Sequence, residues 1–219
     1  MESSSSHTST KETDDLQITI IPIEPGIVSL RGLSPKRLRF ELEYALEKGS
    51  TDNSFLFTND DEKTEASDLS GVLIHPPGAI YGKVFLPALL NLLPNGTTKL
   101  RVVVGHVNPN RVKLLKQLKE VYPNLELISS NPGAKLLKEL WIQQQPVNPK
   151  KSDQISPPFP KLIVVRQEQE LLIGRNHKIK LIPAPTPRWP GGLLAFEEQL
   201  GLLMSDKLFA AHICTHSWA

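Results

Sequence analysis

The 219-residue chain contains a single cysteine, Cys214. That excludes an internal disulfide framework and a Cys-rich zinc or iron–sulfur site. No apolar run approaches the ~20 residues that a membrane helix needs. Charge of neither sign dominates: the formal net charge of +2 is too small to argue for nucleic acid or a membrane surface as a partner. The chain also lacks a Gly-x-Ser-x-Gly nucleophile elbow, so Ser-His-Asp hydrolysis has no frame. Its first fifteen residues are Ser/Thr-rich and acidic, and they contain no arginine. Transit peptides are Ser-rich but rich in Arg and poor in acids. Residues 1–15 are therefore expected to form a disordered tail.

Hydrophobic residues make up 39% and charged residues 22%, the balance of a soluble globular protein. The length allows one ample domain with a sizeable core. The nineteen prolines gather in a few loops. Leu16–Ile21 alternates like a strand, and Ile27–Leu30 predicts a second after the Pro25-Gly26 turn. Strict alternation of Leu38, Phe40, Leu42, Tyr44 and Leu46 with charged residues argues for a half-buried strand. Phe55–Phe57 and Gly71–Ile74 are short apolar strands separated by a solvated acidic stretch, 59–68. A helix is expected over 80–93, kinked or shortened by Pro87.

The most informative stretch is 99–111. Leu100 to Val104 is β-branched and buried in character, Gly105 breaks it, and His106-Val-Asn108-Pro-Asn110-Arg111 follows as a polar loop. Val112, Leu115, Leu118 and Val121 then take helical spacing. Strand, loop, helix is the arrangement in which α/β proteins present chemistry, beyond the carboxyl ends of parallel strands. Strand 125–128 and helix 132–141 repeat the unit, which argues for a parallel sheet faced by helices. A polar, proline-rich loop is expected at 143–160. Beyond it, closely spaced short strands (162–165, 170–173, 179–182, 193–196, 202–204) predict a meander. The fold class is α/β, an αββα sandwich. With no final helix before Ala219, an apolar sheet face near the C-terminus is expected to be uncovered.

The 106–111 stretch resembles the first metal-binding motif of the flavodiiron proteins, whose catalytic half is a metallo-β-lactamase-like domain. Most members read His-x-Glu-x-Asp-His there. The resemblance extends over about 16–214 and includes Ser50-Thr51-Asp52-Asn53-Ser54 as a Thr-rich turn and Asn-Ser. His75 stands where the family strand often ends in Asp. Pro185-Thr-Pro-Arg188-Trp189-Pro190 is similar to the family's His-Trp-Pro segment, and Ser205-Asp206-Lys207 to the strand end that delivers the bridging Asp. Gly-His-Val-Asn-Pro-Asn-Arg, Ser-Asn-Pro-Gly-Ala and Asp-Lys-Leu-Phe-Ala-Ala-His-Ile-Cys are similar to one ligand-poor branch from oxygenic phototrophs.

The resemblance implies a metallo-β-lactamase-like domain at 16–219, incomplete at its C-terminus. It implies that His106 and Asp206 are the residual metal ligands, while Asn108, Asn110, Arg111 and Arg188 replace ligands. Asn brings no charge against a cation, and Arg brings a permanent positive one. Both arginines are expected to fill the old metal cavity with Asp206 in an ion-pair network. No cofactor is expected in this chain: the resemblance implies iron for the family, and FMN only through a missing domain or a partner. The implied role is that of a domain non-catalytic by itself, acting through a protein partner or as a homo-oligomer in chloroplast electron transfer to oxygen, without nucleic acid or membrane. The alternatives are a metal-dependent hydrolase or oxidoreductase with an unusual site at His106 and Asp206, or a truncated product without independent role. By themselves His106 is a satisfied loop histidine and Asp206 a strand-end carboxylate. His7, His75 and His177 read as structural or exposed. His212 and His216 with Cys214 fit no established zinc spacing.

Overall fold

The computed structural model describes residues 15–37, 48–58, 70–94, 99–144, 157–173, 177–210 and 213–214. Residues 1–14 of the expected tail at 1–15, the alternating Leu38 to Leu46, the acidic stretch 59–68, most of the proline-rich loop and His212 and His216 lie outside the described residues. Seven strands form the larger sheet in chain order: β1 (Gln17–Glu24), β2 (Ile27–Ser34), β3 (Ser50–Thr58), β4 (Ser70–Ile74), β5 (Lys99–Val104), β6 (Glu126–Ser130) and β7 (Lys161–Val165). β1 to β4 are antiparallel, and β4 to β7 run parallel. The parallel half follows from its connections. After a 3-10 turn at Ala79–Tyr81, α1 (Gly82–Leu92) links β4 to β5, and α2 (Pro109–Val121) links β5 to β6. α3 (Asn131–Gln143) follows β6. A second sheet, β8 (Gln169–Ile173), β9 (His177–Pro183), β10 (Leu193–Glu197) and β11 (Leu202–Met204), is an antiparallel meander.

Alternation along β5 shows how the layers stack. Val102 and Val104 join Phe85, Leu115 and Trp141 on the helix side, while Val103 joins Ile74, Ile179 and Leu193 between the sheets. Side chains of a strand alternate between faces, so a run apolar at every position suits a strand covered on both. Each fully buried Val or Leu stabilises by roughly 1.5–3 kcal/mol. On the outer face of the second sheet, Leu172 and Leu203 are exposed, and Leu194 and Phe196 are half-buried. Lys178 and Lys180 share that face by alternation. Among the described residues no helix is long and apolar enough to cross a membrane.

The β–α units and the meander match the sequence expectation. One local expectation needs correction. Ser50–Ser54 is not a turn but the first half of β3, in register with Leu30 to Ser34. Its backbone pairs with β2, and Ser54 Oγ donates to the His75 carbonyl at 2.9 Å. Pro87 lies inside α1, which runs from Gly82 to Leu92 and is shorter than the expected 80–93.

Candidate functional site

The carboxyl ends of β4 and β5 converge with the turn after β11. β5 stops at Gly105 because nothing larger fits there: an added Cβ would lie 2.6 Å from the Leu193 carbonyl oxygen and 2.7 Å from the His75 ring. Buried His106 follows. Asn108, in extended backbone, caps α2, its Oδ1 accepting from the Arg111 N–H at 2.8 Å. Pro109 opens the helix at a position that lacks an intrahelical acceptor in any case. The Asn108 amide nitrogen lies 3.2 Å from His106 Nε2. The amide nitrogen can only donate, so this contact makes Nε2 the acceptor and places the ring proton on Nδ1.

Arg111 sits in the first turn of α2, buried, where a cation opposes the helix dipole. Asp206 offsets that. Arg111 Nη1 donates to Asp206 Oδ2 at 2.9 Å and to the His106 carbonyl at 2.7 Å, and Nη2 donates to Asp206 Oδ1 at 3.4 Å. Burial pushes the Asp206 carboxyl up, but Arg111 and His75 outweigh it and hold the group well below the usual carboxylate range. Asp206 is therefore an anion throughout the neutral range.

His75 ends β4 on the other side of Asp206, and its Nδ1 lies 3.8 Å from Oδ2. Its Nε2 meets the Met204 carbonyl at 3.1 Å, an acceptor, which puts the proton on Nε2. Nδ1 is buried and makes no hydrogen bond. Burial lowers the His75 pKa more than Asp206 raises it. Above the pair, Trp189 packs edge-on against His106, with ring centroids 4.1 Å apart. Arg188 lies 5.0 Å and Lys207 5.9 Å from the Trp189 ring. Ser130 Oγ holds this loop by donating to the Gly191 carbonyl at 2.8 Å.

Of the residues the sequence singled out, His106, Asn108, Arg111 and Asp206 come together, and Arg111 bonds to both of the expected ligands. Asn110 is exposed beside them, lining a shallow cleft with Arg37, Asp52 and Lys207. Arg188 is exposed against Trp189 and belongs to the rim, not to the interior where it was expected. His75 belongs to the site and is not exposed. Its sequence signal is the one His106 also carries, a histidine at the end of a buried strand. Lys207 was missed as well, for its neighbour Asp206 carried the motif.

For two metal ions this donor set fits poorly on chemical grounds. Two cations a few ångströms apart need anionic bridging. The matched positions supply one carboxylate, and both of its oxygens already accept from a guanidinium. Among the described residues no group of three or more His, Cys, Asp or Glu could hold a metal ion.

No family model matches the chain. It is 36% identical over 204 residues to diflavin flavoprotein A 6 of Nostoc sp., covering 93% of this chain and 31% of that protein. The chain spans under a third of the length of the first curated relatives it matches. Among solved structures, a 1–254 fragment of diflavin flavoprotein A 5 from Nostoc sp. superposes with a TM-score of 0.70 at 31% identity, over 92% of this chain and 70% of that one. The metal-soaked Flv1 flavodiiron core from Synechocystis sp. gives 0.72 at 31% identity, over 92% of this chain and 44% of that one.

Proposed function

Because the chain belongs to the diflavin flavoprotein, or flavodiiron, family, we propose that its metallo-β-lactamase-like domain holds no di-metal centre and is non-catalytic by itself. It acts through a protein partner, a family member with a fuller ligand set, in electron transfer to oxygen. The chloroplast is the proposed compartment, and FMN is proposed to reach the assembly from outside residues 16–219.

One observation carries this reading: the bidentate contact of Arg111 on Asp206. A carboxylate committed to a guanidinium cannot also bridge two cations without losing that pair. A cation near Arg111 is moreover repelled in a low-dielectric interior. The polar groups around Asp206 then hold the loops in place and do no redox chemistry. His106 is tied to Asn108 and Trp189, and His75 to Met204.

The test is oxygen uptake. The purified chain, given Fe(II) and a flavin reductase with FMN and NADH, is expected to consume oxygen no faster than the reductase blank. Coexpressed with a family member that retains the full ligand set, it is expected to be recovered in a defined heteromeric complex. Iron-dependent uptake by the chain alone above the blank would overturn the proposal.

A further inference from the structure

We infer that the niche around Asp206 is a guanidinium-binding site, filled by Arg111 as a built-in cation that ties the β5–α2 loop to the turn after β11. The inference rests on the reading that no metal pair occupies this place. It adds which cation the niche is shaped for, and why.

The argument starts from geometry. A guanidinium is planar and presents several N–H donors in a fixed fork, matching the two oxygens of a carboxylate. Arg111 uses that fork on Asp206, and the second hydrogen of Nη1 reaches the His106 carbonyl. His106 and Asp206 are a hundred positions apart in the chain, and the guanidinium is bonded to both. An ammonium has one nitrogen and would lose one of the carboxylate bonds.

The backbone around the niche points the same way. Asp206 and His75 both hold left-handed backbone, φ 53° and 54°. Such conformations in residues other than glycine persist only where surrounding contacts impose them. The niche is also nearly dry, with the Arg111 and Asp206 side chains 5% and 9% exposed. Removing one partner there leaves a buried charge without compensation, the costly case among ion pairs.

The experiment uses the whole chain and two variants. Arg111→Ala is expected to lower Tm by roughly 10 °C. Methylguanidinium at millimolar concentration is expected to recover part of that loss, whereas methylammonium and sodium chloride at equal ionic strength recover none. Arg111→Met combined with Asp206→Asn removes both charges. It is expected to melt above Arg111→Ala and to ignore methylguanidinium. Should Arg111→Ala be too unstable to purify, a double variant that folds supports the inference, and one that also fails to fold overturns it. Wild-type Tm in Arg111→Ala, or equal recovery by all three salts, overturns it too. Metal in the wild-type chain would overturn the proposed function, whereas the salt comparison tests the niche alone.

Discussion

His75 and Asp206, 131 positions apart, face each other at 3.8 Å, His75 directly after β4 and Asp206 in the turn after β11, each in left-handed backbone. Nδ1 of His75 turns a lone pair toward a carboxylate that stays ionised. This arrangement makes His75 sensitive to acid in a way that an exposed histidine is not.

The sign of that sensitivity follows from the direction of the shift. Burial lowers the folded-state pKa of His75 below 6.5. The unfolded chain therefore binds the proton more readily, and stability is lost as pH falls from about 6.5 toward the folded value. Asp206 is also depressed, and its contribution is lost only as pH drops below about 4. His75→Asn keeps a residue that tolerates left-handed backbone. Urea unfolding between pH 7 and 5 is expected to show a smaller pH slope for this variant than for the wild type. Equal slopes would remove His75 from the account.

Gly105 sets the space in which His75 sits. A Cβ there collides with the Leu193 backbone oxygen, which is part of the second sheet. Gly105→Ala is expected to destabilise by about 1–3 kcal/mol, read as a lower urea midpoint at unchanged m-value. A midpoint within error of the wild type would mean that the sheets are not as closely apposed as described.

Asn108 carries a second, local role that its place among the replaced ligands conceals. As the cap of α2 it satisfies the Arg111 amide. Asn108→Ala is expected to cost about 1 kcal/mol and Asn108→Ser much less, measured by chemical denaturation. Loss of equal size in both variants would assign the effect to the His106 contact instead.

Most of the architecture was legible because the strong signals are local. The Val102–Val104 run of β5 is apolar at every position and meets a layer on both faces, and α2 and α3 announce themselves by spacing and by Pro at their first turns. Ser50–Ser54 was misleading: its Ser, Asp and Asn favour turns in isolation, yet its backbone pairs with β2 as a strand. In the site, the motif residues on either side of Gly105 located His106, Asn108 and Arg111. Nothing local said which arginine would point inward. Arg111 is carried in by the first turn of α2, while Arg188 sits on a loop whose Trp189 takes the interior place. His75 shows in the sequence only as a histidine at the end of a buried strand, and its meaning lies in that strand's pairing with β5.

Restoring ligands tests whether this cavity still has the family's frame. Asn108→Glu, Asn110→Asp, Arg111→His and Arg188→His together are expected to raise metal uptake, with some loss of stability from the missing cap. Arg188 approaches from the rim, so reversing it alone is expected to do nothing. Uptake unchanged from wild type in a folded quadruple variant would count against the shared frame.

The central claim, that a guanidinium stands where the family's fold would seat metal, is tested most directly by the metal content of the wild-type chain. Elemental analysis after loading with Fe(II) or Zn(II) and exhaustive dialysis is expected to find well under one metal per chain, at a level that Arg111→Lys does not lower. Two tightly held metals per wild-type chain would contradict it.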